Sequence, residues 1–310
     1  MSRNNLTVIL LTFNEEIHIE RAIRSIKSIA SEIYVVDSGS TDKTVEIAQK
    51  NGAKVLYNKF INQAKQFQWA LDNISIHSDW VMRLDADEII EEDLQQEIRN
   101  KLYDLPKNIV GVNLKRKHIF MNRWVRHGGR YPVTLLRIWR KGHGYMEDRW
   151  MDEHIYVQGG DTITLSGGFS DHNLNDLTFF TDKHNKYATR EALEVLNQKY
   201  TLFNRGSTAQ LTSHTFSQQA AIKRLIKEKL YNRIPFTLAA LAYFLYRYVF
   251  QLGFLDGRSG LVYHFLQGYW YRFLVGAKIM ELEKAITGMT DKREILKEIS
   301  RLTGHKLADD

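Results

Sequence analysis

The sequence predicts an α/β fold: a mostly parallel sheet with flanking helices over residues 1–190, followed by a helical C-terminal region over residues 191–310. Three observations carry this. Four apolar, β-rich runs alternate with three helical segments in the first 90 residues, the pattern of a parallel sheet joined by right-handed crossovers. Polar clusters follow three of the four runs, at the carboxyl ends of strands where such sheets bind ligands. From residue 218 onward the pattern changes to basic and apolar stretches of helical period.

In order, residues 6–11 read as a buried strand. Asn14-Glu15-Glu16 then opens a helix whose apolar positions Ile19, Ala22, Ile23, Ile26 and Ile29 share one face. Residues 33–36 form the second strand, ended by Asp37-Ser38-Gly39-Ser40-Thr41-Asp42. That turn and cap cluster starts a helix running to Lys50 and stopped by Asn51-Gly52. Residues 54–57 are the third strand. Ala64, Phe67, Ala70, Leu71 and Ile74 recur at helical spacing, and then Trp80-Val81-Met82 runs into Leu84-Asp85-Ala86-Asp87-Glu88. Two carboxylates one residue apart face the same cleft only if the strand breaks there, which the acidic turn allows. Such a pair is an oxygen site for Mg²⁺ or Mn²⁺, completed by a ligand's phosphates; read alone, it equally suits a solvated helix start.

With 310 residues and 44% hydrophobic composition, the chain holds one or two folded domains and is not generally disordered. It has no cysteine, so disulfides, thiolate metal sites and a cysteine nucleophile are excluded. A net charge of +7 suits a phosphate-rich partner: nucleotide, nucleic acid or anionic membrane. The apolar run near the N-terminus is too short for an export signal, and an intracellular enzyme is expected. Neither G-x-G-x-x-G nor G-x-x-x-x-G-K is present, so the dinucleotide fingerprint and the P-loop are absent.

LTFNEE, VVDSGSTDKTVEIA and WVMRLDADEI, in this order and spacing, resemble family 2 glycosyltransferases of the GT-A nucleotide-binding fold, over residues 5–190 and more loosely beyond. The resemblance implies inverting transfer from a nucleotide-diphospho-sugar, a UDP-sugar, with a divalent cation (Mn or Mg) on the diphosphate. It places Thr12, Asn14 and Glu15 near base and ribose, Asp37 near uracil, and Asp85 and Asp87 at ribose and metal. Many relatives carry two aspartates where this chain has Asp37-Ser38, and the second often contacts the base, so Ser38 leaves the nucleobase open.

Residues 110–114 alternate towards Phe120, and residues 134–139 are another β-rich run. Between them, the basic and aromatic stretch 124–132 reads either as a solvated loop anchored by one Trp or as a lip where arginines meet phosphate and aromatic faces meet a sugar. Arg149-Trp150-Met151-Asp152-Glu153-His154 is a second acidic spot, and an inverting transfer needs one carboxylate to take the acceptor's proton. Relatives carry a similar stretch, often His-Glu-His, whose Glu aligns with Glu153; Glu153 is the candidate base and Asp152 the next. The alternative is that either acid pairs with Arg149 or Arg137. Leu165-Ser166-Gly167-Gly168 reads as a turn after a strand, followed by Asp171-His172-Asn173. In this fold a late histidine often adds a metal ligand, making His172 the candidate and His154 the reserve.

Residues 173–192 suggest a helix resembling the segment that closes the donor site in the family. Residues 220–233 are basic and amphipathic, and the apolar stretches 234–254 and 261–277 follow, interrupted by Arg247, Gln251, His264, Gln267 and Arg272. They suit an interfacial hairpin on an anionic membrane surface better than a span; a buried cap or a dimer interface is the other reading. Related enzymes with a similar Gly-Phe-Leu-Asp-Gly segment act on lipid-linked or lipopolysaccharide acceptors. The expectation is a metal-dependent hexosyltransferase of bacterial surface-glycan synthesis, cytoplasmic and peripheral on the inner face of the membrane, with a homo-oligomer left open and no nucleic-acid partner. A non-catalytic glycan- or lipid-binding protein that kept the fold is the alternative. A sugar-phosphate nucleotidyltransferase would need a Gly-rich, Arg-Lys signature near the N-terminus, which is absent.

Overall fold

The computed structural model describes residues 5–146, 155–202 and 235–307, and divides into two compact units, Met1–Leu174 and Asn175–Asp310. In the first unit, β1 (Leu6–Thr12), β2 (Glu32–Asp37), β3 (Lys54–Tyr57) and β4 (Trp80–Asp85) alternate with α1 (Ile19–Ile26), α2 (Thr44–Lys50) and α3 (Gln63–Asn73). The strands run parallel, as the alternation of elements predicts, and they lie in the order β3-β2-β1-β4. Val8, Leu10, Val35, Met82 and Leu84 share one buried cluster with Ile19, Ile23 and Ile26 of α1; Ile9, Val36 and Val81 pack with Phe67 and Ala70 of α3. Apolar residues on both strand faces are what a helix-covered parallel sheet requires.

The sheet continues with antiparallel pairings except for one parallel pair. After β5 (Glu88–Ile90) and α4 (Glu92–Lys101) come β6 (Ile109–Phe120), β7 (Arg123–Val125), β8 (Val133–Arg140) and β11 (Asp161–His172). They extend the order as β4-β8-β6-β11-β5, with β7 hairpinned on β6 and β6 parallel to β11, giving a mixed sheet. β9 (Gly144–Met146) and β10 (Ile155–Val157) form a separate pair.

Two expectations are corrected. The first helix starts at Ile19 rather than at residues 14–16, because Asn14 takes the left-handed conformation (φ 56°) and the turn is closed by His18 N–H and Ile19 N–H donating to the Glu15 carbonyl. Leu165-Ser166-Gly167-Gly168 is no turn between elements but a bulge inside β11, where the register to β6 shifts between Thr164 and Gly168. Glu97 of α4 accepts the Ser166 and Gly167 N–H groups at 2.9 and 2.8 Å, satisfying donors that the ladder has lost.

The second unit is helical: α5 (Leu177–Tyr200), α6 (Phe236–Leu245), α7 (Gly257–Tyr263), α8 (Tyr271–Ala285) and α9 (Lys292–Thr303). The apolar stretch 234–254 is not one helix; α6 passes through a π-turn, Tyr246–Phe250, into a 3-10 turn, Gly253–Asp256. The charged stretch from Glu281 is likewise split between the end of α8 and α9. α5 packs on α8 through Ala188, Tyr271 and Val275. Gly276 permits the approach of α6, since a Cβ there would lie 2.4 Å from the Phe236 ring. Among the described residues no single helix is long and apolar enough to cross a membrane; the pair Phe236–Phe250 and Gly253–Ala285, bent by 72°, meets that length and composition only jointly. The basic stretch 220–233 lies outside the described residues.

Candidate active site

Register places the polar clusters side by side. Thr12 of β1 pairs with Asp37 of β2, and Leu11 with Asp85 of β4, so all three strands deliver their last residues to one edge. Asp37 is buried and its carboxylate is fully engaged: Thr12 Oγ1 donates at 3.1 Å, the Gly39 and Ser40 N–H groups donate at 2.8 Å each, and Ser40 Oγ donates as well. Asn14 Oδ1 accepts from the Thr41 N–H at 2.8 Å while its own N–H donates to Ser40 Oγ, stitching the β1 loop to the β2 loop. Glu15 joins through its N–H to Thr44 Oγ1 at 2.7 Å. Ser38 Oγ accepts from Gln66 Nε2 at 3.1 Å, and the buried Gln66 amide is held by Asn58. Thr12, Asn14, Glu15, Asp37 and Ser38 thus form one preorganised rim.

β4 ends at Asp85, two residues of turn follow, and β5 begins at Glu88. The Asp85 carboxylate meets Arg83 Nε at 3.2 Å and Arg137 Nη2 at 3.3 Å. Burial alone would raise its pKa, but the two guanidiniums outweigh that and hold it well below the ordinary carboxylate range. Glu88, buried beneath it, receives the Asp85 N–H at 2.9 Å and pairs with Arg137. Burial pushes the Glu88 carboxyl up to about 8, and Asp85 adds to the push while Arg137 opposes it. Sequence reasoning missed Glu88, Arg83 and Arg137 as members of this edge. Their signal was a charged residue within an apolar strand run, which needs a buried partner.

Asp87 sits in the turn. Its carbonyl accepts the His172 N–H at 3.0 Å and its Oδ2 accepts from Asn173 Nδ2 at 3.0 Å, so Asp87 and His172 are brought together. Arg21 of α1, also missed, donates to the His172 carbonyl and to His172 Nδ1 at 3.2 Å. Arginine only donates, so Nδ1 is the acceptor and Nε2 carries the proton, which it gives to Asn122 Oδ1 at 3.0 Å. Burial, and then the Arg21 charge, lowers the His172 pKa. Behind them the buried His18 accepts the Leu174 N–H at Nε2 (2.8 Å), so its Nδ1–H is directed to Glu15 Oε2 at 2.6 Å.

The donor set fits a cation. The Arg21 guanidinium already lies in the field of Asp87 and Glu15. No group of three His, Asp or Glu converges as a metal cage among the described residues. Oxygen ligands in such small number suit an ion whose coordination a bound ligand completes. Asp152, Glu153 and His154 lie outside the described residues, and the flanking strands are β9 and β10. Arg137, considered above as a partner for those acids, is paired here with Glu88 and Asp85.

Comparison with known proteins bears on the stretch that holds the clusters. An uncharacterized glycosyltransferase of Rickettsia bellii (strain RML369-C) is 44% identical over 93 residues, which span 30% of this chain and 31% of the relative. The lipopolysaccharide core biosynthesis glycosyltransferase LpsC of Rhizobium meliloti (strain 1021) is 28% identical over 193 residues, covering 60% of this chain and 70% of LpsC. A solved structure of glucosyl-3-phosphoglycerate synthase from Mycobacterium tuberculosis, with Mn²⁺, UDP and glucosyl-3-phosphoglycerate, shares 25% identity over 37% of this chain and 44% of that one. Its TM-score of 0.30 carries no argument about this chain. The family model described as "Glycosyl transferase family 2" matches residues 7–166, slightly more than half of the chain, and includes all three strand-end clusters. The chain therefore belongs to glycosyltransferase family 2.

Proposed function

We propose that this protein is an inverting glycosyltransferase that moves a hexose from a UDP-sugar to a lipid-linked or lipopolysaccharide-type acceptor. The observation carrying this reading is the single strand edge on which Thr12, Asp37 and Asp85 stand in register and Asp87 touches His172. In this reading the rim of Thr12, Asn14, Glu15, Asp37 and Ser38 binds the nucleoside, its donors and acceptors already aimed by one another. Asp87, Asp85 and His172 are the residues that would hold Mn²⁺ or Mg²⁺. A cation bound there would neutralise the charge that develops on the departing diphosphate. Glu153, or Asp152 if Glu153 fails, takes the proton from the acceptor hydroxyl as its oxygen attacks the anomeric carbon opposite the leaving group.

The name of LpsC supports a lipopolysaccharide-core acceptor. A place on the cytoplasmic membrane surface is supported by the second unit. Leu238, Leu241, Leu245 and Val249, at helical spacing, are exposed, with Phe250 77% exposed, while Arg247, Asp256 and His264 are buried. An apolar groove of about 440 Å³ between Leu177, Thr181, Leu261, Val262, Phe265 and Leu266 adds room for hydrocarbon. That inversion of the usual pattern suits a hairpin lying in a headgroup layer.

The test is a panel of UDP-, GDP- and dTDP-sugars assayed for hydrolysis and transfer with Mn²⁺ or Mg²⁺. Turnover is expected with a UDP-sugar, abolished by chelation and lowered at least about a hundredfold in Asp87→Ala. Glu153→Gln should bind donor and transfer nothing. Activity that survives both chelation and Asp87→Ala overturns the reading. Acceptor binding without metal-dependent nucleotide affinity points instead to the non-catalytic binder.

A further inference from the structure

The positive charge of this chain is confined to one segment. Residues 105–146 contain ten Lys and Arg and no Asp or Glu, whereas the rest of the chain carries 33 basic against 36 acidic residues. Most of the ten have structural work. Arg137 is paired with Glu88 and Asp85, Arg140 caps the carbonyls of Leu105, Pro106 and Ile109, and Lys141 donates to the Ile76 carbonyl. Lys115 reaches the Ser166 carbonyl, Lys117 pairs with Glu91, and Arg116 lies 3.6 Å from Asp171, whose carboxyl also feels Arg130.

Apart from the exposed Lys107, which precedes β6, Arg123 and Arg126, both exposed, are left without an acidic partner among the described residues. They flank Trp124 on the β6–β7 hairpin. The Trp124 ring lies 5.3 Å from Arg126 Cζ, 5.3 Å from Lys117 Nζ, and edge-on to Tyr131 at 4.9 Å. Its indole N–H is shielded from solvent and meets no acceptor among the described residues. The hairpin turn, Met121-Asn122 with both φ positive, is pinned beside Asp87 by the bond from His172 to Asn122. A cationic, aromatic ledge thus borders the candidate transfer site.

We propose that this ledge is the acceptor subsite and that the acceptor is an anionic glycan, one whose sugars carry phosphate or carboxylate groups. Arg123 and Arg126 present planar forks that match either anion, and Trp124 between them offers an aromatic surface to the sugar ring. The inference rests on the glycosyltransferase reading. The two arginines stand at either end of β7 and take no part in the rim or the Asp85–Asp87 edge, so donor binding is separable from it.

The experiment uses the full chain and a deacylated lipopolysaccharide core oligosaccharide in three forms: intact, stripped of phosphate with hydrofluoric acid, and reduced at its carboxyl groups. Binding is read by calorimetry and by tryptophan fluorescence, with UDP plus Mn²⁺ titrated in parallel. The intact form should bind at least about tenfold more tightly than one of the altered forms, the scale of a charged hydrogen bond, and the form that loses affinity names the anion. Added salt should erode the preference. Arg123→Gln with Arg126→Gln should abolish it and leave UDP affinity unchanged, and Trp124→Phe should remove the fluorescence response. Equal affinity for all three forms, a preference that survives the double variant, or equally tight binding of duplex DNA of matched phosphate content overturns the proposal. Failure of the unaltered protein to bind UDP sinks the UDP-sugar reading by itself, and the oligosaccharide comparison still decides whether the ledge takes anions.

Discussion

Glu88 shows how a single side chain supports the acidic edge. It is 2% exposed, pairs with Arg137 and receives the Asp85 N–H, so it holds both the guanidinium and the backbone on which Asp85 is presented. Replacing it with Ala leaves the buried Arg137 and the Asp85 N–H without this acceptor, and Glu88→Ala should cost about 1–3 kcal/mol in urea unfolding. Glu88→Gln keeps an acceptor for the Asp85 N–H and should cost less than the alanine. Equal losses in the two variants would mean that the carboxamide does nothing the methyl group cannot. That Arg83 and Arg137 need acidic partners was legible, since each interrupts an apolar strand run. Which carboxylates they meet was not, because that depends on β8 lying antiparallel against β4, with Met82 opposite Ile138.

At the scale of elements, β1 to β4 and their helices were legible because period and caps are local. β11 was not. The run Leu165-Ser166-Gly167-Gly168 has the composition of a turn, and only Glu97, 69 residues away in sequence from Ser166, turns it into a bulge. The Glu97 carboxyl is pushed up by burial, but the Gly167 N–H and then Lys101 outweigh this and hold it below its ordinary 4.5. A depressed folded pKa means the stabilisation is present above the unfolded value and lost as pH falls through the folded one. Urea midpoints between about pH 5 and about pH 3 should therefore fall less in Glu97→Gln than in the unaltered protein. At neutral pH the variant should be less stable by about 1 kcal/mol. A parallel pH dependence in the two proteins would remove Glu97 from the account of the bulge.

At the scale of the whole molecule, the second unit keeps polar groups inside and apolar groups outside over α6 and the turns that follow. A charge placed on the outer row tests the membrane reading without disturbing the interior. Leu241→Glu with Phe250→Glu should lower co-sedimentation with phosphatidylglycerol vesicles at least about tenfold, since each lost side chain forfeits 1.5 kcal/mol or more of burial. Far-UV dichroism should be unchanged. Undiminished sedimentation would assign the anchor elsewhere. The apolar content of this region was plain in the sequence. Its break at Gly253–Asp256 was legible as the glycine-bounded gap between two apolar stretches, whereas the π-turn at Tyr246–Phe250 was not, because no proline or glycine marks it.

The amino-acid sequence by itself determined the α/β class, the first four strands with their parallel direction, and the residues at their carboxyl ends, because period, caps and turns act over a few residues. Tertiary structure alone decided which charges neutralise one another. Arg21 reaches His172 across 151 residues and Arg137 reaches Glu88 across 49. A buried charge must find its partner wherever the register of the sheet brings one, and register is a property of the assembled strands rather than of any one of them.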